Sequence, residues 1–144
     1  MENQIFGDVN TELDLNGPIL SFSTQPVGVG STVGGSVTLI GIATATFPSQ
    51  SPANTPDNTG TISYRWYEDT GVAMSDGTNV AGSGTTTLVL SNLKSPGDNN
   101  KKYYLQADYV PSVQTGNAIN EPKNSGIATI TVVPNIEIVA QPPN

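Results

Sequence analysis

The serine and threonine hydroxyls of this chain have no histidine to activate them, because the 144-residue sequence contains none. A lysine can take that role only when it is buried beside the nucleophile. Lys94, Lys101, Lys102 and Lys123 instead lie in polar, turn-like stretches and read as solvated surface groups. Cysteine is absent too, which removes thiolate attack, thiolate metal ligation and any disulfide. Paired carboxylates can hydrolyse a glycoside, and Glu68-Asp69 is the closest candidate pair. The simpler reading is a charged strand edge that discourages aggregation.

Hard oxygen ligands gather at Glu12, Asp14 and Asp98-Asn99-Asn100. They make calcium the one ion worth considering. No EF-hand spacing accompanies them, and Asx residues that shape turns account for the cluster more simply. No cofactor is expected. Gly28, Gly30, Gly34 and Gly35 precede no helix, so they lack the dipole that a phosphate-binding loop exploits. They are expected to form a flexible connection between two strands. Trp66 could stack on a sugar, but its place on an alternating apolar face makes it a core residue.

The overall charge narrows the partners. Twelve acidic residues against five basic ones give a formal net charge of −7. Lys101-Lys102 is the only adjacent basic pair, too little for the counterion release that nucleic-acid binding needs. An anionic membrane surface is disfavoured for the same reason. The opening Met1-Glu2-Asn3-Gln4-Ile5-Phe6 shows neither the basic nor the apolar region of a secretory signal. No apolar run approaches the ~20 residues of a membrane helix. There is no N-x-[ST] acceptor either, so the chain reads as made in the cytoplasm.

What must position any site is strands. Fifteen glycines and eleven prolines are scattered through the chain, and no stretch sustains a helical period. Period-2 runs are abundant. Val37, Leu39, Gly41, Ala43, Ala45 and Phe47 face one way, with Thr38, Thr44 and Thr46 opposite. Ile40 and Ile42 interrupt that polar side, which implies that part of it is covered. Ile62, Tyr64 and Trp66 alternate with Ser63 and Arg65. Leu88 and Leu90, Tyr103 to Tyr109, and Ala128, Ile130 and Val132 continue the pattern. Turn-rich clusters at 48–60, 76–84, 96–100 and 111–126 separate these runs, as in a sandwich or barrel.

Residues 1–17 read as an arm or linker, whose Asp8 to Leu15 stretch alternates loosely enough to add a strand to a neighbour's sheet. Residues 18–134 read as the domain. Pro18-Ile19-Leu20-Ser21-Phe22-Ser23-Thr24-Gln25-Pro26 is echoed by Pro134-Asn135-Ile136-Glu137-Ile138-Val139-Ala140-Gln141-Pro142. Residues 135–144 are therefore expected to begin a second repeat, or else to form a tail.

These residues resemble an immunoglobulin-like domain over roughly 18–134. Gly35 to Leu39 is similar to the family's B strand, and Ser63 to Tyr67 to its C strand with the buried tryptophan. Thr87 to Leu93 is similar to the E strand and the turn after it, and Ser125 to Val132 to the closing G strand. Asp98 to Tyr103, followed by Leu105, resembles the tyrosine corner, with one extra residue between Asp98 and Tyr103. Gly41 and Leu105 stand where the family's disulfide pair would be, so the packing on Trp66 is expected to be hydrophobic only. The resemblance implies an all-β, antiparallel two-sheet sandwich without a disulfide, preceded by an extended arm. Its core markers are Trp66, Leu39, Leu105 and Tyr103.

Disulfide-free domains of this kind resemble those of tailed-phage capsid and tail proteins and of bacterial surface proteins. The implied function is non-enzymatic: capsid decoration, spacer or adhesion module of a virion, assembled in the host cytoplasm. The alternative is a bacterial cell-surface adhesin segment or carbohydrate-binding module. Partners would be other virion proteins, neighbouring copies of the domain, or a host-surface glycan or protein, but neither nucleic acid nor membrane. The resemblance brings the B–C and F–G loops to one end of the sandwich. The candidate recognition residues there are Asn54, Asp57, Asn58, Gln114, Asn117 and Asn120.

Overall fold

A computed structural model describes residues 18–47, 60–111 and 121–134. The arm 1–17, the tail 135–144 and all six loop residues from Asn54 to Asn120 named above lie outside the described residues.

Among the described residues the chain forms ten short strands, most of them from the alternating runs, and no helix. β1 (Ile19–Thr24) pairs antiparallel with β4 (Ile42–Thr46). β3 (Val37–Ile40) pairs with β7 (Thr87–Leu90), which also pairs with β6 (Val80–Ala81). β3 and β4 flank the single residue Gly41 and keep one alternation of buried and exposed positions through it. The two groups therefore form one layer. In the other layer β2 (Val29–Thr32), β10 (Ala128–Val133), β8 (Lys102–Val110) and β5 (Thr61–Glu68) follow one another, with β9 (Lys123–Asn124) beside β8.

Both layers turn their apolar side inward. Trp66, Leu88, Leu105 and Ile130 are wholly buried, and Leu39 and Tyr103 nearly so. They form one cluster with Val37, Leu90, Leu93 and Val132. A second cluster of Leu20, Ala43, Ala107 and Tyr109 extends the core, with Phe47 set edge-on to Tyr109 at 5.3 Å between ring centroids.

The structure corrects the sequence reading at several points. The glycine-rich stretch expected to be a flexible connection contains β2, which runs parallel to β10 with Val29 opposite Ile130. Its backbone approaches closely: a Cβ on Gly28 would lie 2.8 Å from the Thr129 carbonyl oxygen. Short strands also occur inside two stretches assigned to turns, β6 within 76–84 and β9 within 111–126. Their lengths of two residues are too short for any period to show. Lys102 opens β8 and Lys123 lies on β9, so these two lysines belong to strands rather than turns. Ile40 and Ile42, expected to be covered, are 45% and 41% exposed.

Trp66 is not held by apolar packing alone. Its indole Nε1–H donates to the Thr85 carbonyl at 2.8 Å, and its backbone N–H donates to Ser83 O at 2.8 Å. A buried indole generally finds such a partner because an unpaired donor in a low dielectric is expensive.

Candidate binding surfaces

Gly41 and Leu105 meet across the two layers. A Cβ on Gly41 would stand 3.7 Å from the Leu105 Cβ and 2.9 Å from its Cδ2. Leucine thus fills the space that a covalent bridge would occupy, and the absent side chain at Gly41 makes room for it. The expected disulfide position is real in geometry and purely apolar in chemistry.

The polar groups singled out in the sequence are mostly engaged in holding turns. The Asp98 carboxylate accepts the Lys94 N–H at 2.9 Å and stands 3.6 Å from the Lys101 ammonium. Lys101 also reaches Glu68 at 3.7 Å. Asn99 Oδ1 accepts the Val132 N–H at 2.9 Å, tying this turn to β10. The Asp98–Asn100 oxygens considered for calcium are therefore partly committed to the fold. Among the described residues no three carboxylates gather where a metal ion could sit. Glu68 ends β5, the outermost strand of its sheet, and Glu68 N–H bonds Val72 O at 2.9 Å where the chain turns back.

Asp76, which the sequence did not mark, accepts the buried Ser83 N–H at 2.8 Å. The hydrogen bonds from Ser83 hold its carboxyl below the usual carboxylate range. Ser125 plays a similar part on the opposite layer: its hydroxyl accepts the Leu105 N–H at 2.9 Å and donates to Gly126 O at 2.7 Å. That closes the interruption between β9 and β10. Gln25 Oε1 accepts the Gly126 N–H at 2.7 Å, so it fastens the crossover between β1 and β2 to the same interruption. Pro26 beside it is buried.

One cleft of about 260 Å³ opens beside Tyr103, Met74, Leu90 and Leu93, rimmed by Glu68, Asp98 and Lys101. The Tyr103 hydroxyl forms no hydrogen bond among the described residues, so the hydrogen bond of the family's tyrosine corner is missing. Burial, and then the carboxylates of Glu68 and Asp98, push its pKa up to about 12. The cleft is small and its rim charges are already paired with one another.

The outer face of the β5–β8 layer is different. Tyr67 and Tyr104 are register partners that stack 5.3 Å apart with ring planes 9° from parallel. Gln106 Nε2 donates to Asn124 Oδ1 at 3.1 Å on the same side. Cross-strand aromatic pairs contribute to sheet stability on the order of 0.2–1 kcal/mol. They also present half-exposed rings beside amides. Sequence reasoning missed this pair because it follows from register, although the outward phase of both residues could have suggested it.

No protein-family model matches this sequence, and no curated protein matches it. Solved structures do. The chain is similar to the tandem Ig repeats of Dlar at a TM-score of 0.53 and 12% identity, covering 84% of this chain and 51% of that one. It thus spans about half the length of that tandem-repeat chain. It is similar to a chain in a complex of titin M10 with an obscurin-like 1 Ig domain, at a TM-score of 0.51 and 14% identity. That match covers 85% of this chain and 99% of the other. A chimeric titin Z1Z2 matches at 0.51 and 14%, over 83% and 98%. At such identities the likeness shows the fold: an all-β, Ig-like sandwich without cysteine.

Proposed function

We propose that this chain is a non-catalytic Ig-like module that spaces or presents a recognition surface in a virion, with other virion proteins or neighbouring copies as its partners. The observation that carries the non-catalytic part is where the reactive groups go. Asp76, Asp98 and Asn99 cap turns, Lys101 pairs with Glu68 and Asp98, and Ser125 closes a strand interruption. Groups spent on the frame are not poised for turnover.

The virion placement is supported by a disulfide-free sandwich that needs no oxidising compartment. It is also supported by the resemblance to phage domains of this kind. Partnership with another sandwich domain is supported by the match to a chain of the titin M10–obscurin-like 1 Ig complex. The repeat reading is supported by the terminal echo. Gln25-Pro26 is the clamp where the chain crosses between layers, and Gln141-Pro142 repeats those two residues after a stretch similar in sequence to 18–24. We take 18–134 as one bead and 135–144 as the opening of the next, preceded by the arm 1–17.

The test is the protein composition of purified particles: quantitative mass spectrometry should find this chain at a fixed copy number per capsid or tail. Particles lacking it would sink the virion reading. The second reading, a bacterial surface adhesin or carbohydrate-binding module, is favoured by the Tyr67–Tyr104 platform beside Gln106 and Asn124. The described structure leaves the calcium reading with Asp98 and Asn99 already engaged.

A further inference from the structure

The charged residues of this protein are segregated. Between Asp14 and Asp57 the chain contains no Asp, Glu, Lys or Arg, and between Asp76 and Lys94 it again contains none. Those two stretches supply every strand of the layer formed by β1, β3, β4, β6 and β7. The outer face of that layer is therefore uncharged. Its centre is the outward row Thr38, Ile40, Ile42, Thr44 and Thr46, with Ser21 opposite Thr44 and Thr87 opposite Ile40.

The face also exposes aliphatic side chains. Ile19 is 58% exposed and Val27 73%, in addition to the two central isoleucines. A shallow trough of about 340 Å³ runs between Val27, Gly28, Thr38 and Ile40. Exposed aliphatic surface gathered in one place marks an interaction site.

We propose that this neutral face is where a second copy of the chain packs, sheet against sheet, around a two-fold axis. A second copy fits for three reasons. A two-fold interface sets the same patch against itself, and hydroxyls, being both donors and acceptors, complement their own kind. A charged partner would have to strip water from its charges against a surface that returns no counter-charge. Two bodies of net charge −7 repel, and this is the layer through which they meet without bringing described like charges together. The chain's own first 17 residues suit the face poorly, since they carry Glu2, Asp8, Glu12 and Asp14.

The size of the face fixes the strength. With ~4.8 Å between strands and ~3.3 Å per residue, the short, staggered strands of this layer give roughly 330 Å². A standard interface buries about 800 Å² per partner, so the dimer is weak and transient. Salt should strengthen it, because screening removes the net repulsion while the apposed faces hold no ion pairs to lose. The inference does not depend on a virion location.

The experiment is sedimentation equilibrium of the full chain from micromolar to millimolar, at about 0.05 and about 0.5 M NaCl. Dimerisation that tightens several-fold in the higher salt is expected. Ile40→Lys, and separately Thr44→Lys, should weaken it at least about tenfold with melting temperatures near the parent's. Lysine is chosen because it lowers the net negative charge, so any loss comes from the face itself. Thr131→Lys on the opposite layer should leave dimerisation intact. A monomer throughout, association that salt weakens, or dimers that survive both face variants would each overturn the proposal.

Discussion

The two layers share one interior and differ in the charge they carry outside. The eleven charged residues of the described chain lie on the strands of the layer of β2, β5, β8, β9 and β10 or in the turns, and none lies on a strand of the other layer. The first of these layers also carries the stacked tyrosines and the Gln106–Asn124 amide pair. The layer of β1, β3, β4, β6 and β7 carries threonine, serine and aliphatic residues and no charge. Core packing is indifferent to this contrast: Leu39 and Leu88 from one side meet Trp66, Leu105 and Ile130 from the other. The inward half of a strand answers to packing, and the outward half is free to answer to partners.

The strongest way to break the comparison is to ask whether the layers truly depend on a common centre. Trp66→Ala removes a wholly buried indole and orphans the Thr85 carbonyl, and should lower stability by about 3–5 kcal/mol. A thermal melt that does not move would mean that the layers hold without it.

A covalent link between the layers sharpens the same point. The 3.7 Å spacing between a Cβ on Gly41 and that of Leu105 matches the ~3.8 Å typical of disulfides. The double variant Gly41→Cys, Leu105→Cys should therefore oxidise to an intramolecular bridge. The oxidised form should exceed the reduced one by about 4 kcal/mol, as expected for closing so long a loop. Free thiols remaining after oxidation would show that the layers breathe apart at this point.

Tyr103 gives the smaller effect and tests whether the charged layer alone sets the alkaline limit. Its folded pKa of about 12 exceeds the ordinary 10.0. The neutral phenol therefore favours the fold, fully below pH 10, and that contribution is lost as pH rises through about 12. At 1.36 kcal/mol per unit, discounted for solvent entering the cleft, the loss is on the order of 1–2 kcal/mol. Tyr103→Phe, which sacrifices no hydrogen bond, should melt like the parent near neutrality and lose less stability between pH 10 and 12. An unchanged alkaline slope would place that limit elsewhere.

Much of the frame was legible because alternation is a local property. Val37 to Phe47, Ile62 to Trp66 and Ala128 to Val132 announce their inward faces without knowledge of their partners. β2 was not legible: Val29-Gly30-Ser31-Thr32 has no clear alternation, and its strand state comes from pairing parallel to β10, far along the chain. The exposure of Ile40 and Ile42 is likewise a fact about which elements lie above β3 and β4. Of the candidate sites, the loop residues lie outside the described structure, whereas the tyrosine platform arose from the register of β5 against β8.

By itself the sequence determined the all-β class, the inward residues, the absence of histidine and cysteine chemistry, and the uncharged stretches. Each of these is carried by residue type and near-neighbour spacing. Only the tertiary structure decided that β1, β3, β4, β6 and β7 gather in one uncharged layer while β2 joins the other, that Leu105 fills the space beside Gly41, and that Gln25 clamps the crossover. Those are matters of which distant strands become neighbours, and a period of two along one strand holds no information about the strand beside it.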